Sequence, residues 1–270
     1  MKKIIVIGDL HCGSRCGLTP REWQWNEFED STTKRAKFAT LQKDIWNNFV
    51  QMLSQNAPYD YLFSMGDCVD GKGTRSGGTE LITADMDEQT DMAVACHAEV
   101  KKYANKGFKQ IGVWGTAYHV SPSGEEWDKL VYDRCGFDKH GWHEWPEVYD
   151  TIFDLKHHIS SSGVPYSRHT ASSREITWGA LWNERGEKPK ADVYIRGHVH
   201  YAQYCWTPMG AAMTTPALQG MGSKYGASRM SGVVDWGFVV ITVEKGKGKY
   251  EVDFQTKTIN SQIAKVTKLI

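Results

Sequence analysis

Apolar residues alternate between strand-like and helix-like spacing along the chain. Residues 2–8 read as a strand around the run Ile4-Ile5-Val6-Ile7. Phe38, Leu41, Ile45, Phe49 and Met52 then recur at helical spacing. Residues 59–65, after Pro58, predict a second strand. Met86, Ala93, Cys96, Val100 and Tyr103 mark a long helix, with Asp85 and Glu88 as a capping pair at its start and Gly107 at its end. Residues 108–114 form the third predicted strand. Ser123-Gly124-Glu125-Glu126 matches a capping box opening a helix through Trp127, Leu130 and Val131. Residues 148–155 predict a fourth strand, Ser172 with Glu175 opens a helix through Ile176, Ala180 and Leu181, and residues 191–195 predict a fifth strand. The remainder is strand-like at 202–206, 211–215, 236–243 and 250–254. The early alternation predicts a partly parallel sheet covered by helices, with antiparallel strands added by the C-terminal third. No linker, repeat or low-complexity segment interrupts the pattern, so residues 1–270 are expected to form one domain.

The charge balance narrows the partners. The 32 Lys+Arg equal the 32 Asp+Glu, which excludes a strongly basic nucleic-acid binder held by bulk electrostatics but leaves room for a local basic groove. The 11 Trp, 12 Tyr and 9 Phe supply ample burial and exclude intrinsic disorder. Met1-Lys2-Lys3 and the apolar run after it imitate the start of a signal peptide, but the run is short and Asp9 and His11 follow at once. No run approaches the roughly 18 apolar residues of a membrane span. Six cysteines without framework spacing point to reduced thiols in a cytoplasm, and Cys12 and Cys16 lack the second pair of a structural zinc site.

The chemistry gathers at strand ends. Asp9 and His11 follow the first strand; Gly66, Asp67 and Asp70 follow the second. Gly115, Thr116 and His119 follow the third, His157 and His158 the fourth, and Gly197, His198 and His200 the fifth. Sites in open α/β sheets form beyond the carboxyl ends of strands. Each fragment alone is a common turn; their order and shared placement point to a metal site.

This ordered set resembles the calcineurin-like metallophosphoesterase superfamily. The resemblance runs from residue 9 to residue 200. It implies a four-layer αββα sandwich of two mixed β-sheets flanked by helices, with two divalent metal ions at the strand ends. Carried over by motif, Asp9, His11 and His200 would hold the first ion, Asp67 would bridge, and His157 and His198 would hold the second. His158 is an equally typed neighbour of His157, and since adjacent strand residues face opposite ways, one of the two is expected to bind. Asp70 is expected to orient a ligand. The third motif departs from the family: Gly115-Thr116-Ala117-Tyr118-His119 has no Asn, so His119 is read as general acid, as metal ligand, or as a loop cap.

The implied activity is phosphoester hydrolysis, most directly of a diester, through a hydroxide shared by the two ions. Manganese is the first candidate metal, with iron or zinc next. DNA or nucleotide substrates, a phosphomonoester, and a non-catalytic metal-binding interaction protein are the alternatives. Loop 71–78, with Lys72 and Arg75, is a possible rim contact for phosphate, while Trp23, Trp25, Phe28, His97, His140, His143 and His169 are read as structural.

Overall fold

The computed structural model describes residues 1–26, 34–116, 126–222 and 233–259. Its strands are β1 (Lys2–Ile7), β2 (Tyr59–Ser64), β3 (Ala104–Val113), β4 (Lys139–Gly141), β5 (Glu147–Val148), β6 (Thr151–Lys156), β7 (Val193–Arg196), β8 (Gln203–Thr207), β9 (Gly210–Thr214), β10 (Trp236–Val243) and β11 (Tyr250–Lys257). Its longer helices are α1 (Lys34–Asn56), α2 (Met86–Lys101), α3 (Trp127–Cys135) and α4 (Arg168–Glu184). One sheet has the order β11-β10-β1-β2-β3-β4, with β1 to β4 parallel and β10 and β11 antiparallel to their neighbours. The other has the order β5-β6-β7-β9-β8, with β6, β7 and β9 parallel.

The pleat of each central strand explains its unbroken apolar run. On β1, Ile4 and Val6 pack between the sheets, while Ile5 and Ile7 pack under the helices. On β10, Val239 and Ile241 face the second sheet, and Phe238 and Val240 face α1 and α2. Helices α1, α2 and α3 close the outer side of the first sheet with Phe49, Cys96 and Tyr132. Helix α4 closes the second sheet by packing Ile176 against Tyr194 and Ala212. The layers are therefore αββα.

Local chemistry moves several boundaries away from those read in the sequence. Asp85 does cap α2, its carboxylate accepting from the N–H groups of Asp87 and Glu88, but α2 ends at Lys101. Gly107 lies inside β3 at φ +81, where the register against β2 jumps from Tyr59↔Ala104 to Tyr61↔Lys109. It serves a bulge, not a helix end. The single strand predicted over 148–155 is two strands joined by Tyr149 and Asp150, both at positive φ, as a tight hairpin requires. Helix α4 starts at Arg168; Ser172 is buried inside it, and Glu175 pairs with Lys156 and Arg196 instead of capping. His169 is an exposed residue of the same helix. Of the capping box at 123–126, Glu126 precedes α3 without a side-chain capping bond, and the other three residues lie outside the described ones.

His97 fits its structural reading and makes a pH-sensitive core element. Its Nδ1 donates to the Ala93 carbonyl at 2.8 Å, and the Ser64 hydroxyl donates to its Nε2 at 3.1 Å. Burial holds its pKa down to about 4 from the ordinary 6.5. Between those values the unfolded chain takes up a proton that the native ring refuses, so stability rises with pH across the window. The contribution, on the order of 3 kcal/mol, is complete above about pH 6.5 and lost as pH falls to about 4. Urea unfolding at pH 7 and pH 4.5 should show this loss in the wild type and a smaller one in His97→Gln. Equal losses would mean that His97 titrates normally in the fold.

Candidate metal centre

The loops after β1 and β2 are laced together before any side chain is considered. The N–H of Asp9 donates to the Gly66 carbonyl at 2.9 Å, that of His11 to Asp67 at 3.0 Å, and that of Cys12 to Cys68 at 2.9 Å. The loop after β3 presses against them. A Cβ on Gly115 would stand 2.1 Å from Asp67 Oδ1, and one on Gly66 would stand 2.6 Å from the Gly115 nitrogen. The two glycines are thus required by a backbone-to-backbone approach.

Two groups of side chains converge on this rim. Asp9, His11 and His200 form one, and Asp67, His157 and His198 the other, with ligand atoms in each group within 4.8 Å of one another. Asp9 Oδ1 is 3.2 Å from His200 Nε2, and His200 Nε2 is 3.3 Å from His11 Nε2. Asp67 Oδ2 faces both groups, 3.2 Å from His157 Nε2 and 3.9 Å from His11 Nε2. Further bonds fix the orientations. His157 Nδ1 donates to the Met65 carbonyl, His11 Nδ1 lies 3.1 Å from Asp70 Oδ1, and the Thr116 N–H donates to Asp67 Oδ1 at 2.6 Å. The His198 N–H donates to the Asp9 carboxylate at 3.1 Å.

The backbone is strained at these same residues. Asp9, His11, Asp67, His198 and His200 all have φ between +46 and +71. The left-handed region costs an L-residue about 1–2 kcal/mol. Such strain clusters where a site over-determines the geometry.

Charge at the centre is unbalanced without a cation. Burial opposes ionisation of Asp67, yet His157, then His11 and the Thr116 N–H, hold its carboxyl well below the ordinary range. Burial also opposes ionisation of Asp9, which His200 holds low. His11 would lose its proton to burial, but the bond to Asp70 and the charges of Asp67, Asp70 and Asp9 push it up to about 9. His157 rises to about 10 against burial, chiefly through Asp67, while burial and then the neighbouring His157 hold His198 at about 4. The carboxylates demand positive charge, which protons or metal ions can supply. The geometry favours ions. His157 Nδ1 is committed to Met65, and its buried Nε2 makes no hydrogen bond among the described residues although it faces Asp67. Two imidazole nitrogens facing each other at 3.3 Å likewise suit a shared cation better than a hydrogen bond. The Asp/His donor set suits manganese, iron or zinc.

The structure thus brings together Asp9, His11, Asp67, His157, His198 and His200, with Asp70 against His11. His158 lies past the end of β6, is exposed and joins neither group, although its ring lies 4.7 Å from that of His198. His119 lies outside the described residues. Of the residues read as structural, His140 bonds Trp114 and Asp133, His143 bonds Asp154, and Trp23 packs on the core; Phe28 is outside the described residues. Three supporting residues carry no recognisable signal in the sequence. Gln89 is buried and accepts from the N–H groups of Asp70 and Gly71. Gln219 donates toward Asp70 at 3.4 Å. Asp128 accepts from the N–H of Asp67 itself.

No protein-family model matches the chain, and no curated protein matches it. Solved structures do. Vps29 from Chaetomium thermophilum is 10% identical over 96% of this chain and 98% of its own, with a TM-score of 0.46. Wild-type Vps29 complexed with Zn2+ from Entamoeba histolytica is 9% identical over 94% and 98%, at 0.44. An archaeal phosphodiesterase is 11% identical over 93% and 98%, at 0.39. At these values the neighbours carry no weight for function, which rests on the site's own geometry.

Proposed function

We propose that the chain is a metal-dependent phosphoester hydrolase of the calcineurin-like kind, with phosphodiesters as its favoured substrates. The observation that carries the reading is the pair of Asp/His groups with Asp67 Oδ2 facing both. Asp9, His11 and His200 would hold one ion, His157 and His198 the other, and Asp67 would be shared. When bound, two divalent cations supply the charge that lowers the pKa of a water and neutralises phosphate.

The chain's own residues orient and expose the centre. Asp70 aims His11, the Met65 carbonyl fixes the tautomer of His157, and the Thr116 N–H holds one oxygen of Asp67 so that the other faces the ligands. His119, outside the described residues, is proposed as proton donor or further ligand. The side chains of His11 and His200 retain 12% and 16% exposure, which gives solvent partial access to the centre; diesters, nucleotides or the ends of DNA are the proposed substrates. Manganese is the first metal to try. The six cysteines are unpaired, which fits a reducing cytoplasm. Among the described residues no helix is long and apolar enough to cross a membrane.

The test is hydrolysis of bis(p-nitrophenyl) phosphate with Mn2+, beside p-nitrophenyl phosphate, with bound metal counted on the same sample. Mn2+-dependent cleavage of the diester is expected. Faster cleavage of the monoester would move the assignment to a phosphomonoesterase. Metal retained with neither ester cleaved would favour a non-catalytic binding protein, and no bound metal would overturn the reading.

A further inference from the structure

A carboxylate that belongs to none of the strand-end motifs lies behind Asp67. Asp128, in the first turn of α3, is 6% exposed. Its Oδ1 accepts from the Cys68 N–H at 2.9 Å. Its Oδ2 accepts from the N–H groups of Asp67 at 3.0 Å and Gly115 at 2.7 Å. These donors come from two loops, one after β2 and one after β3. We infer that Asp128 is a positioning residue for the proposed metal centre, clamping the two loops so that the carboxylate of Asp67 stands between the ligand groups. The inference rests on the reading of Asp67 as the shared ligand.

An acidic residue in a first helical turn ordinarily serves the helix dipole from the surface. Asp128 is buried and turned toward the site instead. Its burial pushes its pKa up, and the charge of Asp67 adds to that, so its place in the fold is electrostatically costly. Three backbone donors, two of them buried and the third partly so, explain why a carboxylate stands there. Each would otherwise cost about 1–3 kcal/mol unsatisfied.

The clamp acts where the backbone most needs one. Asp67 sits at φ +49, a conformation that persists only when its surroundings enforce it. Its N–H is held by Asp128, its carbonyl by the His11 N–H, and its Oδ1 by the Thr116 N–H. Gly115 has no room to adjust, since a Cβ there would meet Asp67 Oδ1 at 2.1 Å and Asp128 Oδ2 at 2.9 Å. If the Asp128 bonds are lost, the loops after β2 and β3 can separate, and Asp67 moves with them.

Asp128→Asn tests the clamp. Its amide replaces one acceptor oxygen with a donor, so at least one of the three N–H groups faces an N–H. Mn2+ titration by calorimetry, with electron paramagnetic resonance to detect a coupled ion pair, should show one of two ions bound about 10–100-fold more weakly and the coupled signal lost. Asp60→Asn is the matched control. Asp60 also accepts three hydrogen bonds, from Lys2, the Lys3 N–H and Asn105, but at the opposite end of the same sheet. It should lower the melting temperature while leaving both ions bound as in the wild type.

Wild-type Mn2+ affinity and coupling in Asp128→Asn would overturn the clamp. So would an equal loss of affinity in Asp60→Asn at an equal fall in melting temperature. If Asp128→Asn does not fold, Asp128→Ser, which keeps one acceptor, is read by the same titration. A wild-type protein that binds no Mn2+ would instead remove the metal-centre reading itself.

Discussion

Asp67→Asn should lower Mn2+-dependent diester turnover by about 10³-fold or more while the protein stays folded. Several kcal/mol of charge stabilisation at a two-metal site convert to that factor at about 1.4 kcal/mol per tenfold. The residue has two separable parts. Its Oδ1 is occupied by the Thr116 N–H, a bond that an asparagine carbonyl can keep. Its Oδ2 is the one that faces His157 and His11, and there the variant would present an NH2 group, which cannot ligate. The backbone bonds of residue 67, from its N–H to Asp128 and to its carbonyl from His11, do not depend on the side chain. Turnover and bound metal, measured on one preparation with circular dichroism to confirm folding, decide the matter. A variant that keeps near-normal turnover would exclude Asp67 as the shared ligand.

The site was legible in the sequence because its residues are tied to local features. A strand that ends in Asp-x-His or Gly-His-x-His delivers those side chains to the rim wherever the strand sits in the sheet. The choice between His157 and His158 stayed open in the sequence, which says that adjacent residues face opposite ways but not which face meets the rim. Phe153 and Leu155 pack between the two sheets, and continuing that alternation points His157 the same way, toward Asp67. Other features had no local signature. The insertion of β9 between β7 and β8, the bulge at Gly107 and the Tyr149-Asp150 hairpin are set by pairing between distant or unusual residues. Gln89 and Asp128 act on backbone N–H groups, which every residue carries, so no side-chain pattern marks their partners.

The second large effect is on stability, away from the rim. Asp154→Ala should destabilise the fold by about 3–5 kcal/mol, because it strips a fully buried guanidinium of a charged partner. Arg196 is 2% exposed; its Nη2 lies 2.7 Å from Asp154 Oδ1 and 2.6 Å from Glu175 Oε2. Asp154 in turn gathers His143 at 2.8 Å and the Trp145 indole N–H at 3.1 Å. Burial opposes the ionisation of Asp154, but Arg196 and then His143 hold its pKa at about 2, below the ordinary 3.8. That shift contributes about 2 kcal/mol, present above about pH 3.8 and lost as pH falls to about 2. Deletion should cost more than this linkage value, since alanine leaves the Arg196 charge in place while protonation leaves a hydrogen-bonding carboxyl. The double variant Asp154→Leu with Arg196→Met removes both charges of this pair but leaves Glu175 with Lys156 alone and His143 and Trp145 without their shared acceptor, so it should recover part of the loss. Urea unfolding of Asp154→Leu, Arg196→Met and the double variant forms the cycle. A double variant as unstable as the sum of the singles would show that packing around the pair, and not the pairing of the charges, sets the cost.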